Sequence, residues 1–127
     1  LYKTGMTNRD ISQELAKLNL DRTPIICDSA EPKSIEELHR RGHNVKPSKK
    51  GPDSVRLGID IMKRHKLYIL KDSLNAQKEF RNYRWEVDKN GTQLSKPVDK
   101  SNHLIDAVRY VCINRIGTSY SGKYYIS

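Results

Sequence analysis

Short apolar runs alternate along this chain with segments whose apolar residues recur at helical spacing, and this alternation restricts the chain to an α/β fold. The clearest run, Ile25–Cys27, is β-branched and short, so we interpret it as a buried strand that presents Asp28 at its carboxyl end. The apolar run at 67–70 predicts a further strand. Asn90 and Gly91 predict the turn of a β-hairpin.

Five helices are predicted around these strands. Their starts are expected near Thr7, Pro32, Asp53 or Ser54, Ser73 and Asn102. Gly42 predicts the end of the second helix, and the last helix is expected to run to about residue 114. We expect residues 1–116 to form one domain. The tail 117–127, rich in Ser, Gly and Tyr, follows neither period and is expected to be loose.

The charge of the chain favours an anionic partner. Lys and Arg number 24 against 15 Asp and Glu, which gives a formal net charge of +9. Such an excess stabilises complexes with polyanions, although charge alone does not establish nucleic-acid binding. No apolar run approaches the roughly 20 residues that span a bilayer, and no signal peptide is recognisable, so we expect a cytosolic protein without a membrane partner. Cys27 and Cys112 are expected to be reduced, buried and unreactive.

Two aspartates stand where chemistry is expected. Asp28 follows a predicted buried strand, at the position where α/β sheets build their sites, although it can equally serve as a turn residue or helix cap. Asp106 follows His103 by three residues on the last predicted helix, so the two side chains share one face. The alternative for this pair is a solvated polar face.

Together, these three side chains favour a hard divalent metal. Carboxylate oxygens with a neighbouring imidazole suit Mg²⁺ or Mn²⁺, whereas zinc would require more His or Cys ligands. Paired divalent ions are a recurrent means of hydrolysing a phosphodiester. The loop 46–51 contains Lys49 and Lys50 and has the composition of a phosphate-contacting element or of a solvated loop. It lacks the Walker A pattern, so ATP hydrolysis of the P-loop type is not expected of this chain.

Four ordered motifs give this chain a resemblance to a known family, the C-terminal nuclease domains of tailed-phage terminase large subunits. The motifs are CDSAEPKSI at 27–35, KGPDSV at 50–55, YRW at 83–85 and NHLIDAVRY at 102–110. The resemblance covers nearly the whole chain up to about residue 114. It implies a ribonuclease H-like fold, with a mixed central sheet flanked by helices.

The resemblance also implies a function. In this family, a nuclease that binds two Mg²⁺ or Mn²⁺ ions cuts concatemeric double-stranded DNA during packaging, in the host cytoplasm. It works together with an ATPase motor domain, a small subunit and the portal. On this sequence, the family's metal-binding aspartates correspond to Asp28 and Asp106, and the accompanying histidine is His103. Lys49 and Lys50 fall in the loop that borders the cleft, where phosphate contacts are expected.

Two departures from the family pattern shape our expectations. The first metal-binding aspartate of the family lies on a strand that would precede residue 1, so we expect an N-terminally truncated fold without the motor domain. Asn102 stands where family members often have aspartate. We therefore expect weak metal affinity and poor cleavage by this chain alone, and strong cleavage by the intact protein. An unpaired sheet edge would also favour a homo-oligomer.

Three other functions are compatible with the same residues. Another ribonuclease H-like nuclease, a junction resolvase or a transposase, would prefer branched DNA to linear duplex. A non-catalytic basic module would bind DNA with steep salt dependence and without regard to Mg²⁺. A structural docking piece would contact the portal or the motor through the tail.

Overall fold

The computed structural model describes residues 3–51, 53–98 and 102–117, and the chain divides into two compact units, Leu1–Lys49 and Lys50–Ser127. The first unit contains helix α1 (Asn8–Lys17), strand β1 (Ile25–Cys27), helix α2 (Pro32–Arg40) and strand β2 (Val45–Pro47). The second contains α3 (Ser54–Lys63), α4 (Leu74–Asn82), β3 (Trp85–Val87), β4 (Gln93–Pro97), α5 (His103–Val111) and a π-helical turn (Cys112–Gly117). Apart from Gly117, the tail predicted to be loose lies outside the described residues.

The first unit is a strand-helix-strand arrangement with one additional helix. Strands β1 and β2 are parallel, with Cys27 opposite Pro47, and α2 connects them. Leu38 of α2 and Val45 of β2 are buried. Because parallel strands point in the same direction, the residues that follow the two strands come to the same edge of the sheet.

Helix α1 begins with the capping arrangement that its sequence predicts. The Thr7 hydroxyl accepts a hydrogen bond from the Asp10 amide at 3.1 Å, and the Asp10 carboxylate accepts one from the Thr7 amide at 2.9 Å. The Asn8 side-chain amide donates to the Glu37 carboxylate of α2 at 2.8 Å. This bond fastens α1 to α2.

The second unit has a small apolar core between its helices. The buried members of this core come from α3, α5 and the π-helical turn: Ile61, Met62, Ile105, Cys112 and Ile113. Phe80 of α4 and Tyr83, the residue that follows α4, pack against this core. Helix α5 contacts α3, α4 and the π-helical turn, so it is the central helix of this unit.

The predicted hairpin is confirmed, with a longer connection than a two-residue turn. Strands β3 and β4 are antiparallel, with an irregularity in their register. The Asp88 carboxylate accepts hydrogen bonds from the amides of Asn90 and Thr92, both at 2.9 Å. Gly91 has a φ of +81°, which glycine adopts without steric cost. The Asp88 side chain therefore stabilises the turn through hydrogen bonds to two of its backbone amides.

The strand predicted at 67–70 is wrong. The segment has no strand pairing, and Tyr68 and Leu70 are 84% and 78% exposed. Ala76 and Phe80 of α4 help to line a shallow apolar groove of about 250 Å³ that this segment borders. A short apolar run becomes a strand only where a neighbouring strand pairs with its backbone, and no described strand does so here.

The described strands form two separate sheets. One is the parallel pair β1 and β2, and the other is the antiparallel pair β3 and β4. The α/β class is thus confirmed. A mixed sheet combines parallel and antiparallel pairing, and here the two kinds of pairing occur in different sheets. Among the described residues, no helix has the length and apolar character needed to cross a membrane.

Candidate active site

Asp28 lies at the carboxyl edge of the parallel strand pair, as its position after an apolar run predicts. It follows β1 directly and is half-buried. Its Oδ1 accepts a hydrogen bond from the Ala30 amide at 3.0 Å, which closes a short turn before α2. Asp28 therefore acts as a turn residue, as one of its two interpretations predicts.

Ser48 and Lys49 lie at the same edge. The Ser48 amide donates to the Cys27 carbonyl at 2.7 Å, which extends the pairing of the two strands by one step. Ser48 is only 3% exposed, whereas the Lys49 side chain after it is exposed. The first unit thus brings two predicted site residues to one sheet edge. They are Asp28, which follows β1, and Lys49, which belongs to the predicted phosphate-contacting loop. Lys50, also exposed, begins the second unit.

His103 and Asp106 lie in the first turn of α5. His103 is exposed and Asp106 is half-buried, so the helix presents both near its amino end. The predicted helix is present, and it places His103 and Asp106 in the same turn, as their spacing predicts. A carboxylate in the first turn of a helix is favoured by the helix dipole.

Glu79 of α4 holds the amino end of α5. The side chain of Asn102, the N-cap residue, makes no capping hydrogen bond. Instead, Oε2 of Glu79 accepts from the amides of Leu104 and Ile105 at 2.8 and 3.0 Å. Glu79 is 3% exposed, so this carboxylate is buried against the helix end that carries His103 and Asp106.

Arg109 forms an ion pair with Asp106. Its Nη2 lies 3.1 Å from Oδ1 of Asp106, one turn earlier on the same helix. The side chain of Arg109 is 8% exposed and that of Asp106 is 33% exposed, so the carboxylate lies at the boundary between guanidinium and solvent. Burial raises the pKa of the nearby Tyr83 hydroxyl, and the Asp106 charge adds to this effect.

The two cysteines have the character expected of unreactive thiols. Cys112 is buried in the core, and Cys27 is half-buried in β1. Burial raises the pKa of both thiols, which disfavours the thiolate form that acts as a nucleophile.

The predicted site residues are divided between the two units. Asp28 and Lys49 belong to the first, and His103, Asp106 and Lys50 belong to the second. Among residues 3–51, 53–98 and 102–117, no group of three or more His, Cys, Asp or Glu is gathered as a metal site. The convergence of Asp28 and Asp106 on one centre therefore stays a prediction.

Asp28 at the carboxyl edge of a parallel strand pair and Asp106 on a helix each lie on the kind of element that the sequence predicts for them. The chain belongs to the terminase RNase H-like domain family, whose model matches residues 1–112. The resemblance stated from the four motifs is thus confirmed.

Individual relatives agree with this assignment. The chain is 42% identical over 91 residues to the terminase large subunit of Bacillus phage SPP1, a match covering 68% of this chain and 21% of that protein. It is 28% identical over 110 residues to the PBSX phage terminase large subunit of Bacillus subtilis strain 168, covering 86% of this chain and 25% of that protein. The chain therefore spans a quarter or less of the length of these relatives.

One solved structure shares the fold. It is the crystal structure of the large terminase nuclease domain from bacteriophage SPP1 with bound Mn. The TM-score is 0.80 and the identity 32%, over 91% of this chain and 67% of that one. The ribonuclease H-like fold and the terminase nuclease-domain class are thereby both supported by structure.

Three residues that support the candidate site residues were not singled out from the sequence. Glu79 gave no sequence signal, because its partners lie 25 and 26 residues later in the chain. Gly58 lies inside a helix, where glycine is unfavourable, and that was an available hint of close packing. Ser48 is a buried polar residue in a loop otherwise interpreted only through its lysines.

Proposed function

We propose that this chain is the metal-dependent endonuclease domain of a terminase large subunit, and that it cuts concatemeric double-stranded DNA during genome packaging. The main support is the shared fold with a terminase nuclease domain that binds Mn, at 32% identity over 91% of this chain. The basic character of the chain, with a net charge of +9, suits a DNA substrate.

The donor chemistry of the predicted residues fits a divalent metal. Asp106 offers a partly exposed carboxylate, and Asp28 offers a half-buried one. Oxygen donors of this kind suit Mg²⁺ and Mn²⁺. When bound, two such ions activate a water molecule and stabilise the leaving oxygen of a phosphodiester.

Each predicted site residue has a defined role in this proposal. Asp28 and Asp106 hold the metal centre, and His103, exposed beside Asp106, orients the attacking water. Lys49 and Lys50 are exposed and contact DNA phosphates, which positions the scissile strand. The ion pair with Arg109 fixes one oxygen of Asp106.

The partners and location follow from the same proposal. The substrate is phage DNA in the cytoplasm of the host cell, and the domain acts together with an ATPase motor, a small subunit and the portal. An oligomer formed through a sheet edge also stays a proposal.

The test is metal-dependent cleavage of plasmid DNA by the complete large subunit and, in parallel, by this chain alone. We expect Asp28→Asn and Asp106→Asn to reduce cutting by the complete subunit to background, because each removes a charged metal ligand, while DNA binding is retained. Arg81→Met, an exposed substitution on α4, is the control and should cut as the parent does. Unchanged cutting by both aspartate variants would remove these residues from the mechanism.

The same assay separates the alternatives. A non-catalytic basic module would bind DNA without cutting it and without regard to Mg²⁺. A resolvase or transposase would cut branched DNA in preference to linear duplex. Cleavage of linear duplex that requires Mg²⁺ or Mn²⁺ is the outcome that we expect.

A further inference from the structure

The Arg109 side chain lies against α3 at Gly58. A Cβ atom at residue 58 would lie 2.1 Å from Cγ of Arg109 and 2.8 Å from its Cδ. It would also lie 3.2 Å from Cδ1 of Ile113. Such distances are far below van der Waals contact, so only a residue without a side chain leaves room for the arginine stem. Gly58 is itself buried.

The guanidinium of Arg109 also has close neighbours. It lies 5.0 Å from the ring centroid of Tyr110 and pairs with Asp106 at 3.1 Å. Its Nε is buried and has no hydrogen-bond partner among the described residues. A buried arginine is unfavourable unless it is paired, so the Asp106 carboxylate is the contact that stabilises its charge at this position.

The two side chains of this ion pair differ in their exposure to solvent. The arginine is buried almost completely, whereas a third of the Asp106 side chain reaches solvent. The guanidinium therefore binds Oδ1 from the buried side of the pair, with its stem lying against Gly58 of α3.

We infer that Arg109, seated on Gly58, is a positioning residue that fixes the Asp106 carboxylate for metal binding. This inference rests on the proposed nuclease function, in which Asp106 is a metal ligand. A neighbouring positive charge opposes a cation, but hydrogen bonds that orient a ligating carboxylate are worth roughly 10- to 100-fold in metal affinity or activity. We expect orientation to outweigh repulsion because a third of the Asp106 side chain is exposed, and solvent at the carboxylate screens the guanidinium charge.

The experiment measures Mn²⁺ binding to the complete large subunit by electron paramagnetic resonance, together with the Mn²⁺ dependence of cutting. We expect Arg109→Met to raise the Mn²⁺ dissociation constant roughly 10- to 100-fold. Gly58→Ala displaces the arginine without removing any charge, and we expect it to weaken Mn²⁺ binding in the same direction. Arg109→Lys keeps the charge but not the planar fork, so it should restore part of the loss.

Two further variants make the result specific. In an Asp106→Asn background, Arg109→Met should cause no additional loss, because the carboxylate that it positions is absent. Arg81→Met controls for removal of an exposed arginine and should leave Mn²⁺ binding unchanged. Circular dichroism and urea unfolding identify any variant that fails to fold. If Arg109→Met unfolds, Gly58→Ala and Arg109→Lys decide the question.

Failure of this inference differs from failure of the proposed function. Parental Mn²⁺ affinity in folded Arg109 and Gly58 variants, with binding lost in Asp106→Asn, would overturn the positioning role alone. Parental Mn²⁺ affinity in Asp106→Asn would overturn the function on which the role depends.

Discussion

Tyr83 carries a buried hydroxyl with no hydrogen-bond partner among the described residues, and this makes it sensitive to pH. Burial raises the pKa of the hydroxyl; the Asp106 charge raises it further, and the Arg109 charge lowers it. The folded protein therefore holds this proton more tightly than the unfolded chain does. The stability associated with the neutral phenol is fully present below the unfolded pKa of about 10 and is lost as the pH rises through the raised folded value.

Tyr83→Phe should remove this pH dependence. We expect the parent chain to lose more unfolding free energy than the variant between about pH 9 and pH 11, because only the parent must ionise a buried phenol. Below that range, the difference between the two proteins should be constant. The measurement is urea unfolding in the presence of a chelator at a series of pH values. Equal slopes above about pH 10 would show that the hydroxyl reaches solvent in the folded state.

Helix α5 depends on a cap supplied by another helix, and this is the element-scale feature that most affects the site. The Glu79 carboxylate accepts from two amides at the amino end of α5, the end that carries His103 and Asp106. Hydrogen bonds to a charged group contribute more than neutral ones, and their loss leaves buried donors without a partner.

Glu79→Ala should destabilise the chain by about 2–3 kcal/mol, because the buried Ile105 amide and the partly buried Leu104 amide lose their acceptor. Glu79→Gln keeps an oxygen at the same reach and should cost about 1 kcal/mol. The measurement is the urea midpoint, with the denaturant slope unchanged. As a control, Glu36→Ala changes an exposed glutamate of α2 and should stay within about 0.5 kcal/mol. A Glu79→Ala effect no larger than the control effect would show that Asn102 or water caps α5 instead.

Elements with local signals could be predicted from the sequence, and those that depend on distant partners could not. The capping residues Thr7 and Asp10 and the turn residue Gly91 act within a few residues of themselves, so α1 and the hairpin were predictable. The segment 67–70 has strand composition, yet strand formation needs a paired neighbour, which composition does not supply. Asp53 or Ser54 was expected to cap α3; Asp53 is the N-cap residue, but its backbone is left-handed, with a φ of +62°, and its side chain makes no capping bond.

At the scale of the whole molecule, candidate site residues could be proposed from local patterns, whereas their common geometry could not. Asp28, His103 and Asp106 could be singled out because each lies at a strand or helix end that local patterns define. The proposed metal centre takes its residues from two compact units, and no local pattern reports such a long-range arrangement. The approach of Arg109 to Gly58 joins separate helices, so the sequence offers a glycine inside a helix as a hint of close packing but does not identify the partner.

Anomalous diffraction at the manganese edge can show whether Asp28 and Asp106 bind one divalent metal centre, as we propose. Crystals of the complete large subunit soaked in Mn²⁺ should show a peak within about 2.0–2.5 Å of an oxygen of each carboxylate. Asp106→Asn crystals treated identically should show a weaker peak or none. Strong manganese density in the parent crystals that contacts neither carboxylate, or only one of the two, would contradict the account.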